Sequence, residues 1–163
     1  MPNLRQAGKI TLFVACCLLI LPKAFAQHGQ VPQRVLFAPL DQIEEDPYFE
    51  WILQQERRGG PIEGAKIEYL IERIRKSDYR FIRNNVEYPS SEAANHLSWK
   101  YGLGRKSIRT AHDFIKHIAS RSLNSGLRYL IKFPNGEKIP TEEILENELR
   151  ILEASLEQNQ PLK

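Results

Sequence analysis

FIRNNVEYPSSEAANHLSWKY, Phe81 to Tyr101, holds an extended segment, a tight turn, a second extended segment, a helix start and a helix in one run. Tyr79, Phe81 and Arg83 alternate before the turn. Asn84-Asn85 suits a two-residue hairpin loop because asparagine tolerates positive φ. Val86-Glu87-Tyr88 returns as the second strand, and Pro89 stops it. Ser90 or Ser91 is then expected to cap a helix over Glu92 to Tyr101. Ala93, Ala94, Leu97 and Tyr101 give that helix its apolar face, while Glu92, His96 and Lys100 follow one edge at i, i+4, i+8.

Working outward, Asp46-Pro47 reads as a helix start, with Phe49, Ile52 and Leu53 on one face and Gly59-Gly60-Pro61 ending it. Its aromatics, Tyr48, Phe49 and Trp51, favour docking on the core, with a partner-binding face as the alternative. Ile67, Leu70, Ile71 and Ile74 mark a second amphipathic helix, with Lys66, Glu68, Glu72, Arg73 and Arg75 off the apolar face and a Glu72–Lys76 pair available. Downstream, Thr110 and Asp113 resemble a capping box for a helix carrying Ala111, Phe114, Ile115 and Ile118. Residues 120–126 form a small-residue loop, and Tyr129 to Phe133 reads as a buried strand. Pro134-Asn135-Gly136 turns into a short return at 137–139. Thr141 is expected to cap a last helix with Ile144, Leu145, Leu149, Leu152 and Leu156 inward and mostly glutamate outward. Helices interrupted by short strands, without βαβ repetition, predict a helix-rich α+β fold of about four to five helices with antiparallel strands or hairpins.

The N-terminus sets the expected compartment. Arg5 and Lys9 precede the apolar run Ile10 to Leu21, and Ala24-Phe25-Ala26 is a cleavage pattern, so residues 1–26 read as a signal peptide. The run is short of the ~20 residues of a spanning helix. Phe13-Val14-Ala15-Cys16 loosely resembles a lipobox, ranked below cleavage after Ala26. The expected organisation is then an extension over 27–60 with a helix around 47–58, one α+β domain over 61–157, and a frayed tail over 158–163. Cleavage would remove both cysteines, Cys16 and Cys17, and with them any disulfide, thiol nucleophile or cysteine metal site. Taking residues 1–26 from 163 leaves 137, enough for one core.

Losing Arg5, Lys9 and Lys23 lowers Lys plus Arg from 23 to 20, level with the 20 Asp plus Glu. That balance, together with export, argues against nucleic acid as a partner. The charge is nonetheless uneven: −4 over 27–65, +8 over 66–138 and −4 over 139–163. A basic centre of this kind can attract an anionic envelope component, although folding back of the acidic flanks would neutralise it.

No phosphate loop, dinucleotide fingerprint, zinc-protease motif, calcium loop or nucleophile elbow occurs. The four histidines are scattered, Glu92 with His96 supplies two ligands where a metal needs more, and no cofactor is expected. A hydrolase can be assembled on paper from Ser120, Ser122 or Ser125 as nucleophile, His96 as base and Glu87 or Glu92 as orienter. No diagnostic motif surrounds any of them.

IEYLIERI (67–74), FIRNNVEY (81–88), SEAANHLSWKY (91–101), TAHDFIKHIASRS (110–122) and SGLRYLIKF (125–133), in this order, resemble the YfeK-like family of small exported bacterial proteins. The resemblance spans Ile67 to Leu152 and leaves the segment before Gly59 outside. It implies a Gram-negative envelope protein from a family of unknown function, with no catalytic residues to carry over. The family's recurrent polar positions fall here on Arg83, Asn84, Glu87, Glu92, His96, Lys100, Thr110, Ser122, Ser125 and Gly126. His112 and His117 depart from the pattern. The resulting expectation is a periplasmic, non-enzymatic module that binds a protein or envelope component. Its binding candidates are Arg83, Asn84, Glu87, Glu92, His96, Lys100, Ser122 and Ser125, centred on the Arg83/Glu87 hairpin. The alternative is a small hydrolase using His96.

Overall fold

The computed structural model describes residue 43 and residues 46–159. The leader, the lead-in and the last residues of the tail lie outside the described residues. The elements run α1 (Pro47–Arg57), α2 (Glu63–Lys76), β1 (Arg80–Arg83), β2 (Val86–Pro89), α3 (Ser90–Gly104), α4 (Ala111–Phe114), β3 (Leu130–Lys132), β4 (Lys138–Pro140) and α5 (Thr141–Gln158). Residues Ile115–Ala119 continue α4 as a π-helical turn. The fold is α+β and helix-rich, as its element pattern predicts.

Its hub is α2, which packs against α1, α3, α4 and α5. Ile67, Leu70, Ile71 and Ile74 are buried as expected, and so is Tyr69. Being surrounded, α2 also buries residues assigned to its solvent side: Lys66 is 8% exposed and Arg73 6%. Each finds a carboxylate. Lys66 Nζ lies 3.0 Å from Glu63 and 2.8 Å from Glu153 of α5. Arg73 Nε donates to Glu148 Oε2 at 3.2 Å, and Glu148 is fully buried. The outward placement of the α5 glutamates therefore fails at Glu148, because a buried arginine on the facing helix requires it there. Glu72 pairs at 2.8 Å with Arg75 instead of Lys76, whose Nζ sits 3.6 Å from Asp46.

Asp46 caps α1 by accepting the Tyr48 N–H at 2.9 Å, and Phe49, Ile52 and Leu53 are buried. α1 docks on the core through that face as expected, while Trp51 stays outside it at 41% exposure. At α4 the Thr110–Asp113 capping box closes in both directions, and Glu63 Oε2 accepts the Ala111 N–H at 2.7 Å. The other two expected caps do not form. Ser90 is already helical, and its Oγ donates to the Arg75 carbonyl at 3.3 Å, sealing the end of α2. Thr141 also lies inside its helix: its N–H donates to the Tyr129 carbonyl at 3.0 Å. Its buried hydroxyl has no hydrogen-bond partner among the described residues.

The four strands form one antiparallel sheet in the order β2-β1-β3-β4. Arg83 faces Val86 across the first hairpin, with Asn84 at φ 51° and Asn85 at φ 65°, the primed geometry that follows strand twist. Pairing of Phe81 with Tyr88 and Ile131, and of Ile131 with Ile139, puts one row of side chains across the core face. Continuing the register one step gives a second row on that face: Val86, Arg83, Tyr129 and Thr141. Glu87 is opposite Ile82 and belongs to the other face, where it pairs with Lys132 at 2.6 Å over β1.

Candidate ligand-binding site

The second row meets α3 at His96. That helix carries His96, Trp99 and Lys100 on neighbouring positions, so all three reach the strip where Arg83 and Tyr129 emerge. Two concavities open on either side of it. One, about 280 Å³, is lined by Phe81, Tyr88, Glu92, Asn95, Leu97 and Thr141, among others. The second, about 510 Å³, is lined by Asn84, Trp99, Lys100, Leu103, Ser122 and Leu123, among others. Arg83, His96 and Tyr129 line both and form the wall between them.

Lys100 was expected at a helix edge but is 4% exposed. Its Nζ donates to the carbonyls of Ile118 at 2.5 Å and Arg121 at 3.0 Å, and to the Tyr129 hydroxyl at 3.3 Å. Three ammonium hydrogens meet three oxygens. One carbonyl, that of Ile118, belongs to the π-helical turn, whose wider spacing turns carbonyls away from the helix ladder, and a cation at a helix C-terminus also offsets its dipole. Burial, helped by Arg83, brings the Lys100 ammonium down to about 8. The same two effects, with Lys100 itself adding repulsion, push the His96 imidazole down to about 4, so it is neutral near pH 7. Its Nε2 lies 3.4 Å from the Tyr129 oxygen. The Tyr129 oxygen accepts from Lys100, and the donor in its contact with His96 is set by the imidazole tautomer. Burial raises the Tyr129 phenol against the opposing influence of Arg83.

Arg83 is half-buried. Its guanidinium lies over the Tyr88 ring, 4.9 Å from the centroid, and Nη2 donates to the Tyr88 hydroxyl at 3.5 Å. Among the described residues no carboxylate pairs with Arg83 or with Lys100.

Residues 120–129 fold into a small closed loop. Ser122 N–H donates to Leu127 O and Tyr129 N–H to Ser120 O, both at 2.9 Å, and Gly126 takes φ 71° to make the reversal. Ser125 Oγ donates to Asn84 Oδ1 at 2.6 Å, pinning this loop to the β1–β2 turn. The serines are thereby occupied. Ser120 Oγ donates to the Lys116 carbonyl at 2.6 Å, and Ser122 Oγ faces Ser125 N–H at 3.5 Å. Among the described residues, none of the three hydrogen-bonds to His96, so the Ser–His relay of the hydrolase reading is not assembled.

Of the binding candidates, Arg83, Asn84, Glu92, His96, Lys100 and Ser122 line the two concavities, and Ser125 buttresses Asn84. Glu87 does not join them, since strand alternation sends it to the far face and away from Arg83. Sequence reading missed Tyr129, counted there only as a strand residue. It also missed the exposure of Trp99, Leu103 and Leu123 at 60%, 72% and 75%. The one available signal was Leu123 in a loop of small polar residues. Among the described residues no three His, Cys, Asp or Glu side chains converge as a metal site.

Every residue of this site falls within residues 61–153, which match the model of a family of unknown function, DUF5329. The chain belongs to that family. Among curated proteins it is similar to the uncharacterized protein YfeK of Salmonella typhimurium (strain LT2), with 37% identity over 68 residues. The aligned part is 41% of this chain and 57% of the relative. No solved structure matches. The DUF5329 match begins at Pro61, after α1, so the aromatic helix lies outside it while the sheet and both concavities lie inside.

Proposed function

We propose that this DUF5329 chain is an exported, periplasmic binding module whose partner, a protein or another envelope component, docks on the paired concavities around His96. The observation that carries the reading is the wall of Arg83, His96 and Tyr129, whose guanidinium has no carboxylate partner among the described residues and borders a cleft on each side. Small-molecule and recognition sites are concave and mostly apolar with a few converging polar groups, which is the composition here. Neutral His96 and fully engaged Lys100 fit a preorganised polar wall better than a proton-transfer relay, because Ser120 and Ser125 donate to other acceptors and Ser122 Oγ accepts from the Ser125 N–H.

Export rests on the leader pattern of residues 1–26, and amino-terminal sequencing of the protein recovered from the periplasm should begin at Gln27. Among the described residues no helix is long and apolar enough to cross a membrane. A photoreactive residue at position 99 should give a discrete cross-linked product in the periplasm, and Arg83→Ala should abolish it. The same probe at Trp51, in α1, serves as the control. Equal products from both positions, or indifference to Arg83→Ala, would remove this face from consideration.

A further inference from the structure

The larger concavity has a chemical polarity. Its charged lining residues are Arg83 and Lys100, both cationic, and the remaining polar ones are neutral. Among the described residues Lys100 meets neutral oxygens only, so no carboxylate there compensates its charge. Arg83 has one hydrogen bond from its guanidinium among the described residues, to Tyr88, which leaves most of the donor fork open. An arginine fork is shaped for the paired oxygens of a carboxylate or phosphate.

The same cleft also carries an apolar lining. Trp99, Leu103 and Leu123 are among the most solvent-exposed large apolar side chains of the described residues, and all three line the same cleft. A scattered exposed leucine needs no explanation, but three around one cavity mark a surface meant to be covered. Two of the three are aliphatic, which suits a flexible chain better than a stacked base. The volume of about 510 Å³ lies within the range of small-molecule sites.

We propose that this cleft binds an amphipathic organic anion, a single carboxylate or phosphate head on an apolar chain. The head lies against Arg83, and the chain runs along Trp99, Leu103 and Leu123. Lys100 attracts the head without touching it, since its three hydrogens are already placed. This inference rests on the reading that the same face binds an envelope component, and it names the class.

Trp51→Phe leaves Trp99 as the sole tryptophan of the two, so its emission reports on the cleft. The protein carrying that change, purified from cells expressing the full chain, is titrated with dodecanoate, dodecyl phosphate and dodecanol below micelle-forming concentrations, and with phosphatidylglycerol vesicles. At least one soluble anion should shift the emission saturably, with dodecanol about tenfold weaker or worse, the scale of losing one charge-assisted pair. Arg83→Ala should weaken the anion by a similar factor and reduce its salt dependence. Leu123→Asp, on an exposed loop where folding is not at risk, should weaken it as well. The better head, carboxylate or phosphate, then identifies the source.

Equal affinity for dodecanol, no response to either soluble anion, or a response to vesicles alone would each overturn the proposal. Anion failure with the position-99 cross-link retained would overturn this inference and leave the binding reading standing. Loss of both would overturn the two together.

Discussion

Lys100 is a buried cation with no carboxylate, and its cost should be visible in the pH dependence of stability. Its folded value of about 8 lies below the ordinary 10.5. Below pH 8 both states are charged and the folded state bears the full desolvation cost. From 8 upward the folded state releases its proton while the unfolded chain keeps it, so stability climbs with pH. Raised phenols such as Tyr69 and Tyr129 work in the opposite direction above about 10, where an exposed tyrosine ionises. We therefore expect the urea midpoint to rise between about pH 8 and 10, and to stay flat in Lys100→Met. A flat wild-type profile would mean the ammonium is not desolvated. Thr141 offers a second test. Its buried hydroxyl has no acceptor among the described residues, and valine has the same shape, so Thr141→Val should leave stability unchanged or raise it by about 1 kcal/mol. A loss of that size in urea unfolding would reveal a partner for the hydroxyl. Neither residue could be read from sequence. A lysine four places from a histidine looks like a solvated edge, and a threonine ahead of an apolar run looks like a cap.

At the level of elements, the hairpin turn is the best-determined feature. Both asparagines adopt the left-handed conformation, which costs other L-residues about 1–2 kcal/mol each. Asn85→Val should lower stability by that amount, and Asn85→Gly should be neutral or better, measured by thermal unfolding. Similar costs for both would show that the asparagine side chain, not its backbone, holds the turn. This turn was legible because two adjacent asparagines between extended residues leave few alternatives. The capping box of α4 was legible for the same reason, being local chemistry. The π-helical turn after it was not. There Lys100, from another element, takes up the carbonyls of Ile118 and Arg121, and no periodicity within Ala111–Ala119 encodes that contact.

For the molecule as a whole, the order of elements and the apolar faces were readable, but the centrality of α2 was not. Amphipathic spacing assigns a helix one wet side, and α2 is enclosed by four helices. Its buried Arg73 and the Glu148 of α5 answer each other across that enclosure. Removing one partner of such a pair strands a charge and typically costs about 3–5 kcal/mol, whereas replacing both with apolar groups can be nearly neutral. Arg73→Met and Glu148→Leu should each destabilise strongly, and the double variant should recover most of the loss in a urea double-mutant cycle. Additive losses would mean the two side chains are stabilised by separate neighbours. The site was half legible on the same grounds. Arg83, His96 and Lys100 are polar residues in one contiguous stretch, while Tyr129 reaches it through the pairing of β3 with β1 and Leu123 through the loop that Ser125 pins to Asn84.

That pairing also has a kinetic consequence. β1, β2, α2 and α3 are contiguous in the chain and can associate through short loop closures, whereas β3 must return from beyond α4 to lie beside β1. Non-local strand pairing is the slow, entropically costly part of folding. We expect substitutions in the β1–β2 hairpin to slow refolding and substitutions at Ile131 to act mainly by speeding unfolding, as chevron plots would show. Equal partition at both places would argue for a single diffuse nucleus. On this ordering Arg83 and His96 come together early and wait for Tyr129. The wall between the two concavities is then completed only at the final step, so a chain that has not finished folding presents half a site.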